Sequence, residues 1–202
     1  MVLAQGGSVP VETDEVARVR ALDAAEQLFY GHGVQAVGMD AVRTASGLPL
    51  KRLYRLFPSK GELVEAYLRR RDTRWRADLA AYVATATTDP EERLLAVFDW
   101  LRQWFEEPGF RGCAFVNAYG ELGADSPAVA AAARHHKAEF GHYLAGLTGA
   151  ARLPAPLAGH LLLLAEGAIT TAAVTGGPAP ADGAREAAAV LLAAAGGRAA
   201  HS

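Results

Sequence analysis

The residues best suited to chemistry lie between Gly47 and Glu62, in the run Gly-Leu-Pro-Leu-Lys-Arg-Leu-Tyr-Arg-Leu-Phe-Pro-Ser-Lys-Gly-Glu. Lys51, Arg52, Arg55 and Lys60, with Arg43 just upstream, are cations, and no acidic residue occurs from Ala41 to Lys60. A cluster of this kind attracts phosphate oxygens, and a lysine or arginine at a helix start can also pair with guanine O6 and N7. Tyr54 adds a hydroxyl donor to the patch. Phosphate attraction is local, so the patch matters more than the whole-chain formal charge of −2. For any one of these residues a solvated basic face is the alternative. The order of elements around them decides for nucleic acid.

Those elements are legible. Pro58 blocks continuation of a short basic helix, and Ser59 with Glu62 has the S-x-x-E spacing of a capping box that opens the next helix. Leu53 and Phe57, four apart, share a face that packs inward. Met39 and Val42 lie three apart on a preceding short helix, which Gly47 ends because glycine tolerates the left-handed conformation. Farther upstream, Leu22, Ala25 and Phe29 fall at i, i+3 and i+7, predicting an amphipathic helix over 14–31 that roofs the pair. This is a helix-turn-helix, and the function it implies is DNA binding. Pro49 is acceptable at the start of the recognition helix.

The residues from about 19 to 63 resemble the N-terminal domain of the TetR/AcrR family of bacterial transcriptional regulators. The resemblance rests on Leu-Asp-Ala-Ala-Glu-Gln-Leu-Phe (22–29), Met-Asp-Ala-Val (39–42), Ser-Gly-Leu-Pro (46–49) and Leu-Tyr-Arg-Leu-Phe-Pro-Ser-Lys (53–60). It implies that the Tyr54 hydroxyl reaches a DNA phosphate, that Lys60 also contacts the DNA backbone, and that Leu53 and Phe57 are core. Four positions depart from the family pattern: Gly38 replaces a usual Thr or Ser cap, Pro49 a common serine, Lys51 a frequent glycine and Arg52 a frequent threonine. The expected DNA-contacting set is Arg43, Pro49, Leu50, Lys51, Arg52, Tyr54, Arg55 and Lys60. Beyond this domain the resemblance is architectural, implying a variable helical regulatory and dimerisation domain.

The whole chain of 202 residues reads as all-α, with about nine helices. A flexible arm is expected over 1–12, the helix-turn-helix domain over 13–59, a helical ligand-binding and dimerisation domain over 60–196, and a tail over 197–202. A long fourth helix runs from Lys60 toward Ala84, its arginines reading as a solvated face. Asp89-Pro90-Glu91-Glu92 marks the start of the fifth helix, with Asp as N-cap and Pro at its first position. A short sixth helix is expected over 113–122, a seventh from Ser126-Pro127 to about Leu147, an eighth from Pro156, and a ninth over 181–195 after the breaker Gly-Gly-Pro-Ala-Pro. The eighth and ninth are apolar on more than one face. Leu161, Leu164, Ala168, Thr171 and Ala172, with Ala188, Leu191, Leu192 and Ala195, are the expected dimer interface, closing a four-helix bundle across a two-fold.

Trp100, Trp104, Phe115, Asn117, Tyr119, His136, Phe140 and Tyr143 form the candidate lining for an apolar or aromatic effector, with an ordinary core as the alternative. His135, Glu139 and His142 have helical metal-ligand spacing, but a di-iron bundle needs a second such motif, so no metal and no cofactor is expected. A helical metal-binding or protein-interaction bundle without DNA binding is the competing reading. No phosphate-binding glycine loop, G-x-S-x-G, H-E-x-x-H or paired cysteine motif points to an enzyme. The single cysteine, Cys113, excludes an intrachain disulfide and fits a reducing cytoplasm, and no signal peptide is expected. The apolar run 157–175 contains His160 and Glu166 and reads as a buried helix rather than a membrane span. The expected partners are a double-stranded operator, a second copy of the chain and a small effector.

Overall fold

A computed structural model describes residues 13–199. The arm expected over 1–12 lies outside the described residues, as does the tail apart from the backbone of 197–199. Among the described residues there are nine helices and no strand: α1 (Asp14–His32), α2 (Met39–Ser46), α3 (Leu50–Leu56), α4 (Lys60–Ala86), α5 (Pro90–Glu106), α6 (Ala114–Leu122), α7 (Pro127–Ala150), α8 (Pro156–Thr175) and α9 (Ala179–Ala199). The ninth helix starts earlier than the breaker suggested, because proline is accepted in a first helical turn and Pro180 occupies one. Contacts divide the chain into a unit ending at Tyr67 and a second beginning at Leu68. This division lies about two turns into α4. Leu63, Val64 and Tyr67 are buried, and Tyr67 packs edge-on against Phe29 with ring centroids 5.7 Å apart.

In the first unit, α2 and α3 have only eight and seven residues, too few for an isolated helix to persist in water. Tertiary contacts with α1 hold them. Ala17, Ala21, Ala24 and Ala25 are buried on α1, and their small side chains admit the neighbouring backbones. Two arginines on α1 close the C-terminal ends of the short helices. Arg20 donates to the Ser46 carbonyl at the end of α2. Arg18 donates to the Leu56 carbonyl at 3.1 Å and lies 4.4 Å over the Phe57 ring. Those carbonyls lack intrahelical partners, so a cation there satisfies both hydrogen bonding and the helix dipole. Gly47 has φ +66°, a left-handed conformation that favours glycine at this turn.

In the second unit, α8 packs against α5, α7 and α9. By length and composition alone α8 could cross a membrane, with a mean hydropathy of 1.5. Its Leu157, Leu161, Ala165, Ala168, Ile169 and Ala172 are buried within the chain, while other positions on it are exposed. A polar cluster joins α4 to α7. His136 Nδ1 is 2.7 Å from Asp72 Oδ1, while Arg76 donates to Asp72 Oδ2 at 2.8 Å and to Glu139 at 3.1 Å. Burial raises the Asp72 carboxyl, but the hydrogen bonds from Arg76 and His136 outweigh it and hold the group below the usual carboxylate range. Burial pushes His136 down to about 4, outweighing the hydrogen bond to Asp72.

His136 is thus neutral in the folded chain and titrates near 6.5 once unfolded. Between those values the unfolded chain binds the extra proton, so stability falls as pH is lowered through this window. The loss is on the order of 2 kcal/mol between pH 7 and pH 4.5. Urea midpoints measured across that range should show it for the natural chain and a shallower decline for His136→Gln. Identical pH profiles would remove His136 from the acid sensitivity.

Candidate nucleic-acid interface

The recognition helix is built from its first residue outward. The Pro49 carbonyl accepts the N–H groups of Arg52 and Leu53 at 2.9 and 3.0 Å, which starts α3 without a side-chain cap. Leu53 and Phe57 are buried, as expected from their spacing. That fixes the rotation of α3 and leaves Leu50, Lys51, Tyr54 and Arg55 on one exposed edge, with Pro49 exposed at its start. Leu50 and Tyr54 are 42% and 44% exposed. The Ser59 hydroxyl accepts the Glu62 N–H at 3.2 Å, fulfilling the capping spacing.

Three of the expected contact residues are more constrained. Lys60, half-buried at the first position of α4, donates to the Gln35 carbonyl at 3.3 Å. Arg43 on α2 is ion-paired with Asp40 at 2.7 Å and also donates to the Thr44 hydroxyl. Arg52 does not share the exposed edge of α3, because its guanidinium turns back to α1. It reaches Asp14 Oδ1 at 3.2 and 3.3 Å and the Thr13 carbonyl at 2.9 Å, and its side chain is only 20% exposed. Asp14 Oδ1 also accepts Arg55 at 2.7 Å. The basic run that is uninterrupted in sequence is therefore met in space by an acid from α1. Sequence reasoning missed Asp14, Arg18 and Arg20, since an acid or arginine on an amphipathic helix carries no sign of which helix crosses it.

In the second unit the aromatic set gathers around a residue the sequence did not single out. Trp75 of α4 has ring centroids 5.0 Å from Trp100, 5.7 Å from Trp104, 5.0 Å from His136 and 5.1 Å from Phe140. Phe115 stacks on His136 at 3.9 Å. Asn117 and Tyr119 stand outside this cluster. Both are exposed on the far face of α6, and the Asn117 amide donates to the Arg111 carbonyl at 2.9 Å. A cavity of about 510 Å³ opens between α4 and α7, lined by Trp75, Arg76, Leu79, Glu139, Phe140 and Tyr143 among others. Of the expected lining, Phe140 and Tyr143 reach it. The Trp75 indole N–H is buried and has no hydrogen-bond partner. Glu139 is engaged by Arg76 at 3.1 Å and by His142 at 3.3 Å, while His135 turns toward Asp72. Among the described residues no group of three or more His, Cys, Asp or Glu side chains is placed to hold a metal ion.

The expected dimer residues need correction. Leu161, Ala168, Ala172, Ala188, Leu192 and Ala195 are buried within the single chain, and Leu164 and Leu191 are half-buried. An apolar stripe read from sequence alone does not reveal which side meets the chain's own core, and these residues meet it. Only Thr171 of the set is exposed. The outward stripe is the opposite one: Leu163, Gly167, Thr170 and Val174 on α8, with Val190, Ala193 and Ala194 on α9. Leu163, Val174 and Val190 are 72%, 81% and 69% exposed.

Comparison with known proteins completes the picture. Residues 21–67 match the model for "Bacterial regulatory proteins, tetR family", and residues 90–188 match "Tetracyclin repressor-like, C-terminal domain". An uncharacterized HTH-type transcriptional regulator of Mycobacterium tuberculosis, Rv1255c, is 32% identical over 94 residues. That match takes in 46% of each chain, so it spans about half the length of the relative. SCO4454, a TetR-family transcriptional regulator from Streptomyces coelicolor, superposes with a TM-score of 0.79 at 26% identity, covering 89% of this chain and 95% of that one. A putative TetR transcriptional regulator, sav143, from Streptomyces avermitilis gives 0.72 at 29% identity, covering 89% and 97%. The α3 edge lies inside the first matched segment, and the α5 to α7 members of the aromatic cluster lie inside the second; the chain belongs to the TetR family of bacterial regulatory proteins.

Proposed function

We propose that the protein is a homodimeric, effector-responsive transcriptional repressor that acts in the cytoplasm on an inverted-repeat DNA operator. The observation that carries this reading is the rotation of α3, which buries Leu53 and Phe57 and exposes Leu50, Lys51, Tyr54 and Arg55 on one edge. A helix of this width fits the major groove. There Lys51 reads base edges while Tyr54 and Arg55 engage phosphate, and Lys60 adds a backbone contact from the start of α4. One such helix spans too few base pairs for a specific site. Two of them, about 34–36 Å apart across a two-fold, read the halves of an inverted repeat. The outward stripe of α8 and α9 supports the pairing, since its exposed leucine and valines leave an apolar face that a second copy buries.

The cavity between α4 and α7 is the proposed effector site. Its Trp75, Leu79, Phe140 and Tyr143 suit an apolar or aromatic molecule. α4 contributes Trp75 and Arg76 to this cavity and Lys60 to the DNA-binding unit. An effector that binds better to a displaced α4 lowers operator affinity, provided it discriminates between the two states by a few kcal/mol. No catalytic step belongs to this reading.

Substitutions separate the roles. Tyr54→Phe should weaken binding to every duplex alike, and Lys60→Ala should in addition flatten the salt dependence by about one phosphate contact. Lys51→Ala should alter base preference in DNA selected from a random pool, with about 1–3 kcal/mol lost at the position it reads. A uniform loss across the pool would make Lys51 a phosphate anchor instead. Leu163→Asp combined with Val190→Asp should sediment as a monomer and bind the selected operator poorly; a surviving dimer would place the interface elsewhere.

A further inference from the structure

We propose that Asp14 is a phosphate mimic built into the DNA-binding unit: its carboxylate occupies Arg52 and Arg55 in ion pairs that a DNA phosphate must displace, and so limits phosphate-driven binding. The inference rests on the DNA-binding reading and adds a regulator of its strength. One oxygen, Oδ1, accepts from Arg55 at 2.7 Å and from Arg52 at 3.2 and 3.3 Å. A carboxylate oxygen presented to two guanidinium groups at these distances has the geometry that a backbone phosphate would offer them. The Asp14 side chain is 56% exposed and that of Arg55 is 63% exposed, so the cluster lies at the surface where DNA would arrive. Hydrogen bonding from Arg55 holds the Asp14 carboxyl below the usual carboxylate range, so it is charged at neutral pH.

Asp14 is one of several ties that assemble the unit. The Thr13 hydroxyl already caps α1 through the Val16 N–H, and Arg18 and Arg20 already tie α1 to the ends of α3 and α2. Arg52 also keeps the Thr13 carbonyl as a second acceptor. What the carboxylate changes is the field and the availability of donors. It subtracts one unit of charge beside the exposed cations Lys51 and Arg55. It also engages, before DNA arrives, two cations that would otherwise release counterions from phosphate. A repressor limited in this way is less readily drawn onto the vast excess of non-operator DNA.

The test uses the full chain and a mixed-sequence 30-base-pair duplex, with affinity measured over a series of salt concentrations. Asp14→Asn should bind roughly tenfold more tightly, and its plot of log affinity against log salt should steepen by about 0.9 for each additional phosphate neutralised. Asp14→Glu keeps the charge and should stay near the natural chain in both respects. Adding Arg55→Gln to Asp14→Asn should reverse much of the increase. Thermal melting of each variant serves as the fold check, because a purely structural role for Asp14 would lower the melting temperature without steepening the salt dependence. A folded Asp14→Asn chain with unchanged or shallower salt dependence, or with weaker binding, overturns the proposal and makes Asp14 an organiser of the arginines. A natural chain that binds no duplex at all removes the DNA-binding reading, and this inference with it.

Discussion

Two arginines on α1 clamp the ends of both short helices of the DNA-binding unit. Helices as short as α2 and α3 form too few hydrogen bonds to offset the cost of ordering them, and their last carbonyls would be left without partners. Arg20 reaches the end of α2 and Arg18 the end of α3, where it also covers the Phe57 ring. The clamp fixes where the two helices end, while Leu53 and Phe57 fix how α3 is rotated. The edge that remains exposed follows from those constraints together. Gly47 belongs to the arrangement too, since its left-handed turn, beside the Arg20 guanidinium, favours glycine.

The second unit places its polar groups differently. Asp72, Arg76 and His136 form a closed network in which a neutral imidazole is hydrogen-bonded to an ionised carboxylate. The network lies beside Trp75, around which four rings pack, and next to the cavity of α4 and α7. Rings in edge-to-face contact make a rigid wall, and a rigid wall transmits a displacement better than it absorbs one. An effector in that cavity would therefore act on α4 directly. The same cluster explains why the metal-ligand spacing on α7 has another use: Glu139 serves Arg76, which in turn serves Asp72.

Local sequence was a good guide wherever the structure is local. The turn glycine, the Ser59 cap, the Asp89-Pro90 start and the inward pairing of Leu53 with Phe57 all depend on residues within four positions of one another. Features that depend on which helices cross were not legible. Asp14 and Arg52 lie far apart in the chain, and nothing in either neighbourhood announces their pairing. Trp75 lies on a long charged helix, and only the packing of α4 against α5 and α7 makes it the centre of the aromatic cluster. On α8 and α9 the abundance of alanine hid the difference between inner and outer stripes. Leu161 and Leu163 are equally apolar in sequence, yet one is buried and the other 72% exposed.

The orientation of α3 is tested most directly by dimethyl sulfate protection of guanine N7 on duplexes selected by the protein from a random pool. Protection in two patches related by inverted symmetry, with centres about one helical turn or a multiple of it apart, is the expected result. Uniform reactivity, or protection confined to a single unpaired patch, would contradict a pair of α3 helices seated in the major groove.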